Sequence, residues 1–361
     1  MKYKVFYKIK SLVSAADKKL PSIDVVSFDV FDTLLVRRVH DPDLVKIPVA
    51  RYISNIALSF GVIMEWQQVQ ETRDGLEEIM RAETGRCHDD HEAHYPTLMK
   101  QVLQKILGKN YDESHLILVT NYEIKIENAM LVPRAEIVAW LKEISSQGKK
   151  VLAISDMYLP SDHIQRLLDH AGLMEFVDQV FSSADSFLAK ASGKAYQHIQ
   201  QVLDLQPVKW MHVGDNPISD GLRASEHGIH AFVLQDPDES HRRAVAARYY
   251  FYSRNRAYWR GRATQQLMAP LEAENVERPP MYQEGYNFLG PLLNIFVQSV
   301  AEECKHRNIS KVFFLSREGW MFKQIWERIT PFLYPEGGLP ATEYLYVSRL
   351  SLAGLLARNK V

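Results

Sequence analysis

Between residues 149 and 234, short apolar runs alternate with helical segments, and this alternation limits the fold more than any other feature of the sequence. The runs predict strands at 149–156, 176–182, 209–215 and 229–234, and a run at 25–29 has the same β-branched and aromatic character. Strands of this kind, separated by helices, form a parallel sheet that is covered on both faces. The sequence therefore predicts an α/β fold with a doubly wound parallel sheet.

Polar residues follow the ends of these predicted strands. They comprise carboxylates, a hydroxyl and two lysines, namely Asp29, Ser155, Lys190, Lys194, Asp215 and Asp220. In an open α/β sheet, ligands bind just outside the carboxyl ends of the strands. Carboxylates beside a lysine suit an anion and a hard cation such as Mg²⁺. Serine and aspartate also begin helices, so capping is the alternative interpretation for Ser155 and Asp220.

Composition and hydropathy argue against several classes of protein. The chain has 361 residues and a net charge of −1, so it has no overall electrostatic preference for nucleic acid. No apolar stretch approaches the roughly 20 residues that span a bilayer. Cys87 and Cys304 lie far apart, which fits a reducing cytoplasm rather than a disulfide scaffold. Residues 1–20 predict a basic N-terminal helix, either solvated or in peripheral contact with a membrane.

Helical patterning interrupts the sheet after its first strand. Residues 39–131 carry apolar positions at three- and four-residue spacing, so they predict a helical cap inserted into a core made of residues 21–38 and 132–236. Residues 237–280 are predicted to form a linker region, rich in arginine and aromatic residues, which packs between domains or lies on an anionic surface.

Residues 281–361 predict a separate C-terminal α/β module. Its pattern contains a helix at 285–306 and strands at 311–316 and 344–349. The module is either a complete accessory unit or the start of a longer domain.

The segment from Cys87 to His94 places cysteine, histidine and aspartate in close succession. It lacks the paired ligand spacing of a structural zinc site. We therefore interpret it as a polar loop between two helices of the cap, with a zinc site as the alternative.

The polar motifs, in this order and each at a strand end, closely resemble those of the haloacid dehalogenase-like hydrolase superfamily. The resemblance covers residues 24–234 and implies a Rossmann-like core with the cap inserted after the first motif. It implies that Asp29 is a nucleophile that forms an aspartyl-phosphate and that Ser155 donates a hydrogen bond to a phosphoryl oxygen. It also implies that a lysine neutralises the transferring group.

The same resemblance assigns the lysine and the metal ligands. Lys190 fits the position of the family's motif lysine better than Lys194 does, because Tyr196 follows Lys190 at the spacing of the family's third motif. The cofactor implied is Mg²⁺, which takes oxygen ligands. Those ligands would be Asp29, the backbone carbonyl of Phe31, Asp215 and Asp220.

One departure from the family pattern concerns proton transfer. In phosphatases of this superfamily, the residue two positions after the nucleophile is an aspartate that protonates the leaving group, but here that residue is Phe31. Three interpretations stay open: Asp32 or a cap residue supplies the proton, the leaving group needs none, or the domain has little activity and serves for binding. Dehalogenases of the superfamily also lack this acid, but they do not need the acidic metal site that Asp215 and Asp220 imply.

Further residues beside the motifs are predicted to contact the substrate: Thr33, Arg37, Asp156 and Asn216. Arg37 and its neighbour Arg38 lie where the chain enters the cap, close enough in sequence to reach a second anionic group. Solvent exposure is the alternative for these arginines.

Longer stretches look like one subgroup of the superfamily. They are the Asp29–Thr33 opening, residues 154–160 and residues 314–319. The subgroup consists of predicted hydrolases, alone or fused to glycosyltransferases, in bacterial capsule and surface-polysaccharide synthesis. The resemblance implies a cytoplasmic phosphohydrolase for a sugar phosphate or phosphorylated glycan precursor, with a glycosyltransferase as partner. The alternative is a weakly catalytic scaffold that binds a glycosyltransferase or an anionic polymer.

Overall fold

The computed structural model describes residues 3–37, 42–88, 90–237, 256–268, 279–334 and 337–347. The chain divides into two compact units. The first contains residues 1–53 and 57–246, and the second contains residues 247–361 together with residues 54–56.

A six-stranded sheet forms the centre of the first unit. Its strands are β1 (Lys4–Phe6), β2 (Val25–Asp29), β5 (Lys150–Ser155), β6 (Gln179–Ser182), β7 (Trp210–Gly214) and β8 (His230–Leu234). The strand order is β1-β8-β7-β2-β5-β6, and every neighbouring pair is parallel. The prediction of a doubly wound, Rossmann-like parallel sheet is confirmed.

Helices cover both faces of this sheet. Successive side chains of β2 point to opposite faces, so the strand contacts helices on each side. On one face, Phe28 packs edge-on against Trp140 of helix α6 (Ala135–Ser146). On the other face, Val25 belongs to an apolar cluster with Tyr196 and neighbouring residues of helix α9 (Lys194–Leu203). All five residues of β2 are buried, so the strand that ends in Asp29 is central.

Four further helices pack around the sheet. Helix α1 (Ile9–Asp17) and helix α7 (Ser161–His170) pack on the sheet near β8 and β6. A π-helical turn at Pro217–Arg223 continues into the short helix α10 (Ala224–Glu226). Helix α8 (Ser183–Ser186) directly follows β6.

The structure differs from the predicted N-terminal helix at its beginning. Residues Lys4–Phe6 form β1 and pair with Phe232–Leu234, and the helix begins only at Ile9. The Phe6 ring stacks on Phe232 with the centroids 6.0 Å apart. In this pairing the apolar side chains of β1 lie beside those of β8 at the sheet edge. An exposed amphipathic helix would give them no such neighbours.

The cap is joined to the core by a short antiparallel ribbon. Strand β3 (Leu35–Arg37) pairs with β4 (Leu131–Pro133), so that Arg37 lies opposite Leu131. The described residues between the two strands form helices α2 (Lys46–Ser59), α3 (Trp66–His88), α4 (Tyr95–Leu107) and α5 (Glu113–Met130). These helices confirm the predicted helical character of the insertion.

The second unit combines helices with a two-stranded sheet. Helix α11 (Arg256–Met268) packs along α13 (Gly290–His306), and α12 (Pro280–Glu284) precedes a π-helical turn at Gly285–Leu289. Strand β9 (Lys311–Leu315) pairs in parallel with β10 (Ala341–Leu345), and α14 (Glu318–Leu333) connects them.

Two sequence-based expectations for this unit need correction. The second strand begins at Ala341, three residues before the predicted start of 344, because all of Ala341–Leu345 pairs with β9. Within the predicted linker of residues 237–280, residues 256–268 form helix α11, which packs on α13. Most of the predicted arginine and aromatic segment, residues 241–255, lies outside the described residues, as does Arg38.

Of the helices that the structure describes, none combines the length and the apolarity that crossing a bilayer requires.

The packing of α11 on α13 depends on Gly261. A methyl group added there would overlap the carbonyl oxygen of Pro291. We expect Gly261→Ala to lower the stability of this helix pair by about 1–3 kcal/mol, because the backbones must separate. Hydrogen exchange should accelerate in peptides from α11 and α13 but not in peptides from β2.

Gly285→Ala is the matched control for this variant, because its added methyl group meets no atom within 4 Å. We expect a change of less than about 1 kcal/mol there. Equal protection in the two variants would contradict the close approach at Gly261.

Candidate active site

The carboxyl edge of the sheet collects the polar residues around Asp29. Asp29 ends β2 and pairs in register with Ile154, so Ser155 lies one position beyond it on the neighbouring strand. On the other side, Phe28 pairs with Val213, so Gly214 and Asp215 follow at the same edge. Parallel strands thus bring residues from distant parts of the chain to one place.

Lys190 contacts two of the carboxylates directly. Its Nζ lies 2.5 Å from Asp29 Oδ1 and 2.6 Å from Asp220 Oδ1, and all three side chains are buried. Burial disfavours the charged ammonium, but the charges of Asp220 and Asp29 outweigh burial and hold the pKa of Lys190 well above its ordinary value. Lys190 is therefore a permanent cation in the site.

Three carboxylates converge at this edge. Asp29, Asp215 and Asp220 each offer an oxygen atom, and these atoms lie within 4.8 Å of one another. Burial raises the pKa of Asp29 well above its ordinary value, and the charges of Asp220 and Asp215 raise it further, although Lys190 lowers it. Lys190 carries one positive charge against three negative charges, so the group is short of positive charge. An all-oxygen donor set with this deficit fits a divalent cation such as Mg²⁺.

Asp220 is held by three hydrogen bonds. Its Oδ1 accepts hydrogen bonds from Lys190 and from His212 Nε2 (3.1 Å), and its Oδ2 accepts one from the backbone N–H of Asn216 (3.0 Å). Burial alone would raise the pKa of Asp220, but Lys190 and His212 hold it below its ordinary value. Gly214 is required beside it, because a methyl group on Gly214 would overlap the Asp220 carboxylate.

A buried chain of hydrogen bonds leads from Trp210 through Ser27 and His212 to Asp220. Trp210 Nε1 lies 2.7 Å from Ser27 Oγ, which lies 2.7 Å from His212 Nδ1. Burial lowers the pKa of His212 and outweighs the opposite effect of Asp220, which favours the neutral ring with one proton. Because a carboxylate only accepts hydrogen bonds, that proton is on Nε2, and Ser27 donates to Nδ1 while accepting from Trp210. Every group in the chain is satisfied in this one direction.

Sequence reasoning missed Ser27 and His212, although a signal for them existed. Both are polar residues inside otherwise apolar predicted strands. They pair in register and therefore share one face of the sheet.

The loop that carries Lys190 is fixed by two aspartates. Asp156 accepts hydrogen bonds from the backbone N–H groups of Lys190 (2.7 Å) and Ala191 (2.9 Å), one to each oxygen. Asp90, a cap residue, accepts from the backbone N–H of Ala189 (2.9 Å) and from Ser192 Oγ (2.8 Å). The structure thus gives Asp156 a role in positioning the loop, where the sequence predicted substrate contact.

The cap segment around Asp90 contacts the core at a second point. Glu92 accepts a hydrogen bond from Ser183 Oγ (2.6 Å) through one oxygen and pairs with Arg81 (2.7 Å) through the other. His88 stacks on Phe187, with the ring centroids 5.0 Å apart. Among the described residues, the Asp29, Asp215 and Asp220 group is the only set of three with metal-ligand geometry. The described residues of the segment from Cys87 to His94 therefore provide no set of zinc ligands.

Of the two lysines considered, Lys190 is the one whose side chain bonds to Asp29. Lys194 begins helix α9, and its backbone N–H donates to Ser192 Oγ. Asn216 uses its side-chain oxygen to accept from the backbone N–H groups of Ile218 and Ser219, as a helix cap does. Only the side-chain amide nitrogen of Asn216 therefore remains for its predicted contact with substrate.

The loop after Asp29 adopts a sharp turn. Asp32 has a φ of +63°, and its backbone N–H donates to the carbonyl of Leu35 at 2.7 Å. Its carbonyl accepts from Arg134 of the core at 2.9 Å. Thr33 has no exposed surface, and within the described residues its hydroxyl has no hydrogen-bond partner. The guanidinium of Arg37 lies 4.3 Å from the centroid of the Phe31 ring.

Removing Asp90 tests its hold on the lysine loop. We expect Asp90→Ala to lower the free energy of local opening of residues 186–193 by about 1–3 kcal/mol, because two donors lose their acceptor. Hydrogen exchange of that peptide would measure the change. Glu83→Ala, which removes an exposed carboxylate from helix α3, serves as control and should change it by less than about 0.5 kcal/mol. Equal exchange rates of residues 186–193 in Asp90→Ala and Glu83→Ala would contradict the role of Asp90 in holding this loop.

Comparison with known proteins shows where this architecture occurs. A family model described as "haloacid dehalogenase-like hydrolase" matches residues 23–228, which is more than half of the chain. The search of curated proteins gives no significant match.

Several solved structures are similar at low sequence identity. An L-2-haloacid dehalogenase from Xanthobacter autotrophicus is 19% identical, covers 62% of this chain and 83% of its own, and has a TM-score of 0.36. A 2-haloacid dehalogenase from Pseudomonas syringae pv. Tomato DC3000 is 16% identical, with coverages of 57% and 84% and a TM-score of 0.42. A HAD phosphatase from Thermococcus onnurineus is 15% identical, with coverages of 60% and 96% and a TM-score of 0.39.

Proposed function

This chain belongs to the haloacid dehalogenase-like hydrolase family, and we propose that within the family it is a Mg²⁺-dependent phosphohydrolase. The observation that carries the proposal is the contact of Lys190 with Asp29 and Asp220 beside the convergent carboxylate of Asp215. A nucleophilic carboxylate and a phosphate dianion repel each other unless cations neutralise both. This site pairs the carboxylate with an ammonium and retains an excess of negative charge that a metal ion would balance.

The residues of the chain would divide the reaction as follows. An oxygen of Asp29 attacks phosphorus, the bond to the leaving oxygen breaks, and an aspartyl-phosphate forms. Lys190 stabilises the negative charge on Asp29 and on the transferring phosphoryl group. Ser155, one position beyond the register partner of Asp29, donates a hydrogen bond to a phosphoryl oxygen. Water then attacks the aspartyl-phosphate, which releases phosphate and restores Asp29.

A bound Mg²⁺ ion supplies positive charge that neutralises the phosphoryl oxygens. Asp29, Asp215 and the backbone carbonyl of Phe31 would hold it, with Asp220 as a further ligand or as a hydrogen-bond acceptor for its water. A haloacid substrate is the less favoured alternative, because displacement of halide by a carboxylate needs no cluster of metal-binding carboxylates.

For the substrate, we propose a sugar phosphate or a phosphorylated glycan precursor of bacterial surface polysaccharide. Support comes from the resemblance of the Asp29–Thr33, 154–160 and 314–319 stretches to hydrolases of that process. A glycosyltransferase is the partner that this resemblance suggests. A scaffold without activity is the second candidate, and the observation that favours it is Phe31 at the position of the usual acid.

Phosphate release with and without Mg²⁺ tests the activity. We expect Asp29→Asn to lower turnover of 4-nitrophenyl phosphate and sugar phosphates by at least about a thousandfold, because the nucleophile is lost. Asp24→Asn, at the opposite end of the same strand, should retain activity. Turnover by Asp29→Asn equal to that of wild type would overturn the assignment of the nucleophile.

Removal of a metal ligand tests the cofactor separately. We expect chelation to abolish turnover, and we expect Asp215→Asn to need at least about tenfold more Mg²⁺ for half-maximal activity. Titration of activity with MgCl₂ measures both effects. Activity that survives exhaustive chelation would contradict metal dependence.

A further inference from the structure

We propose that Glu127, on helix α5 of the cap, donates the proton to the leaving oxygen when a phosphate ester is cleaved. This inference rests on the proposed phosphohydrolase function. An alkoxide is a poor leaving group unless it is protonated as the P–O bond breaks. Phe31 cannot supply that proton, so another acid must stand near the leaving-group side of Asp29.

Side-chain contacts connect helix α5 to the two loops that flank the reacting centre. Toward the loop after β2, Glu127 Oε2 lies 3.8 Å from a guanidinium nitrogen of Arg37, which stacks on the ring of Phe31. Toward the loop after β5, Glu123, one helical turn earlier, accepts a hydrogen bond from Tyr158 (3.1 Å). Because β2 and β5 are neighbours, the helix spans the loops next to Asp29 and Ser155.

Glu127 forms an ion pair with Arg37 at 3.8 Å, a longer contact than the one that holds Glu123. It is 2% exposed, and within the described part of the chain its Oε2 has no hydrogen-bond partner. Glu123, by contrast, accepts two hydrogen bonds from Arg73, at 2.7 and 3.0 Å. The Nε atom of Arg37 is also buried without a partner among the described residues. A buried polar atom without a hydrogen bond is costly, and a bound substrate would satisfy these two atoms.

The surroundings of Glu127 act on its pKa in both directions, and burial is the largest effect. Burial raises its pKa, and the nearby charge of Glu123 adds to that effect, while Arg37 and Arg73 act in the opposite direction. The phenol of Tyr158 also lies within electrostatic range of Glu127. A neutral carboxyl group can donate a hydrogen bond, and then its proton, where a carboxylate cannot.

The proton balance of both steps follows from this role. In the first step, the bond between Asp29 and phosphorus forms, the ester P–O bond breaks, and the Glu127 proton passes to the departing oxygen, which leaves as an alcohol. In the second step, the Glu127 carboxylate takes a proton from the water that attacks the aspartyl-phosphate. Phosphate leaves, and both side chains return to their starting states.

The test compares leaving groups in the full-length protein with Mg²⁺. Wild type, Glu127→Gln, Glu127→Asp, Asp32→Asn and Glu123→Gln are assayed with 4-nitrophenyl phosphate and with the alkyl esters glucose 6-phosphate and glycerol 3-phosphate. The nitrophenolate leaves without protonation, whereas the alkoxides do not. We expect Glu127→Gln to lower kcat for the alkyl esters by about 10²–10⁴-fold and kcat for the aryl ester by less than about tenfold. Glu127→Asp retains an acid and should recover part of the alkyl activity.

Glu123→Gln is the matched control, because it alters a buried acid of the same helix without removing the proposed proton donor. We expect a lower Tm and an equal change for both kinds of ester. If Glu127→Gln changes kcat equally for both kinds of ester, or leaves kcat unchanged, the role of Glu127 is overturned. The proposed function is unaffected by that result. A selective loss in Asp32→Asn instead assigns the proton to Asp32. No turnover of any ester by wild type overturns the proposed function and this role together.

Discussion

The bond between a buried ammonium and the carboxylates around it is the interaction on which the site depends. Lys190 is withdrawn from water and compensated by Asp29 and Asp220, so removing the ammonium would leave two buried carboxylates without their cation. The surrounding structure is arranged to keep this geometry. His212, Ser27 and Trp210 fix the orientation of Asp220, and Gly214 leaves the space that its carboxylate needs.

The charge balance of the site bears on the proposed function. Three carboxylates against one ammonium would repel a phosphate dianion. A divalent cation would balance that excess of negative charge. Burial is the main cause of the elevated pKa of Asp29, and the charges of Asp220 and Asp215 add to it. Added positive charge would lower that pKa and favour the carboxylate form that acts as a nucleophile.

Local patterns were sufficient to predict the parallel sheet, the helical insertion and the carboxylates at the strand ends, because each of these depends on residues close in sequence. Strand β1 escaped prediction, since three residues are too few to show a periodicity and their partner is β8, more than two hundred residues away. Asp90 and Glu127 escaped for a similar reason. The bond from Ala189 to Asp90 joins residues 99 positions apart, and no spacing rule connects a cap loop to a core loop.

The double attachment of the cap through Asp90 and Glu92 has a consequence for the lysine loop. Any movement that separates Asp90 from the core would remove the acceptor from the residue before Lys190. The lysine loop would then retain Asp156 and the bond from Arg223 to the carbonyl of Ala191. The position of the Lys190 loop is therefore coupled to the position of the cap.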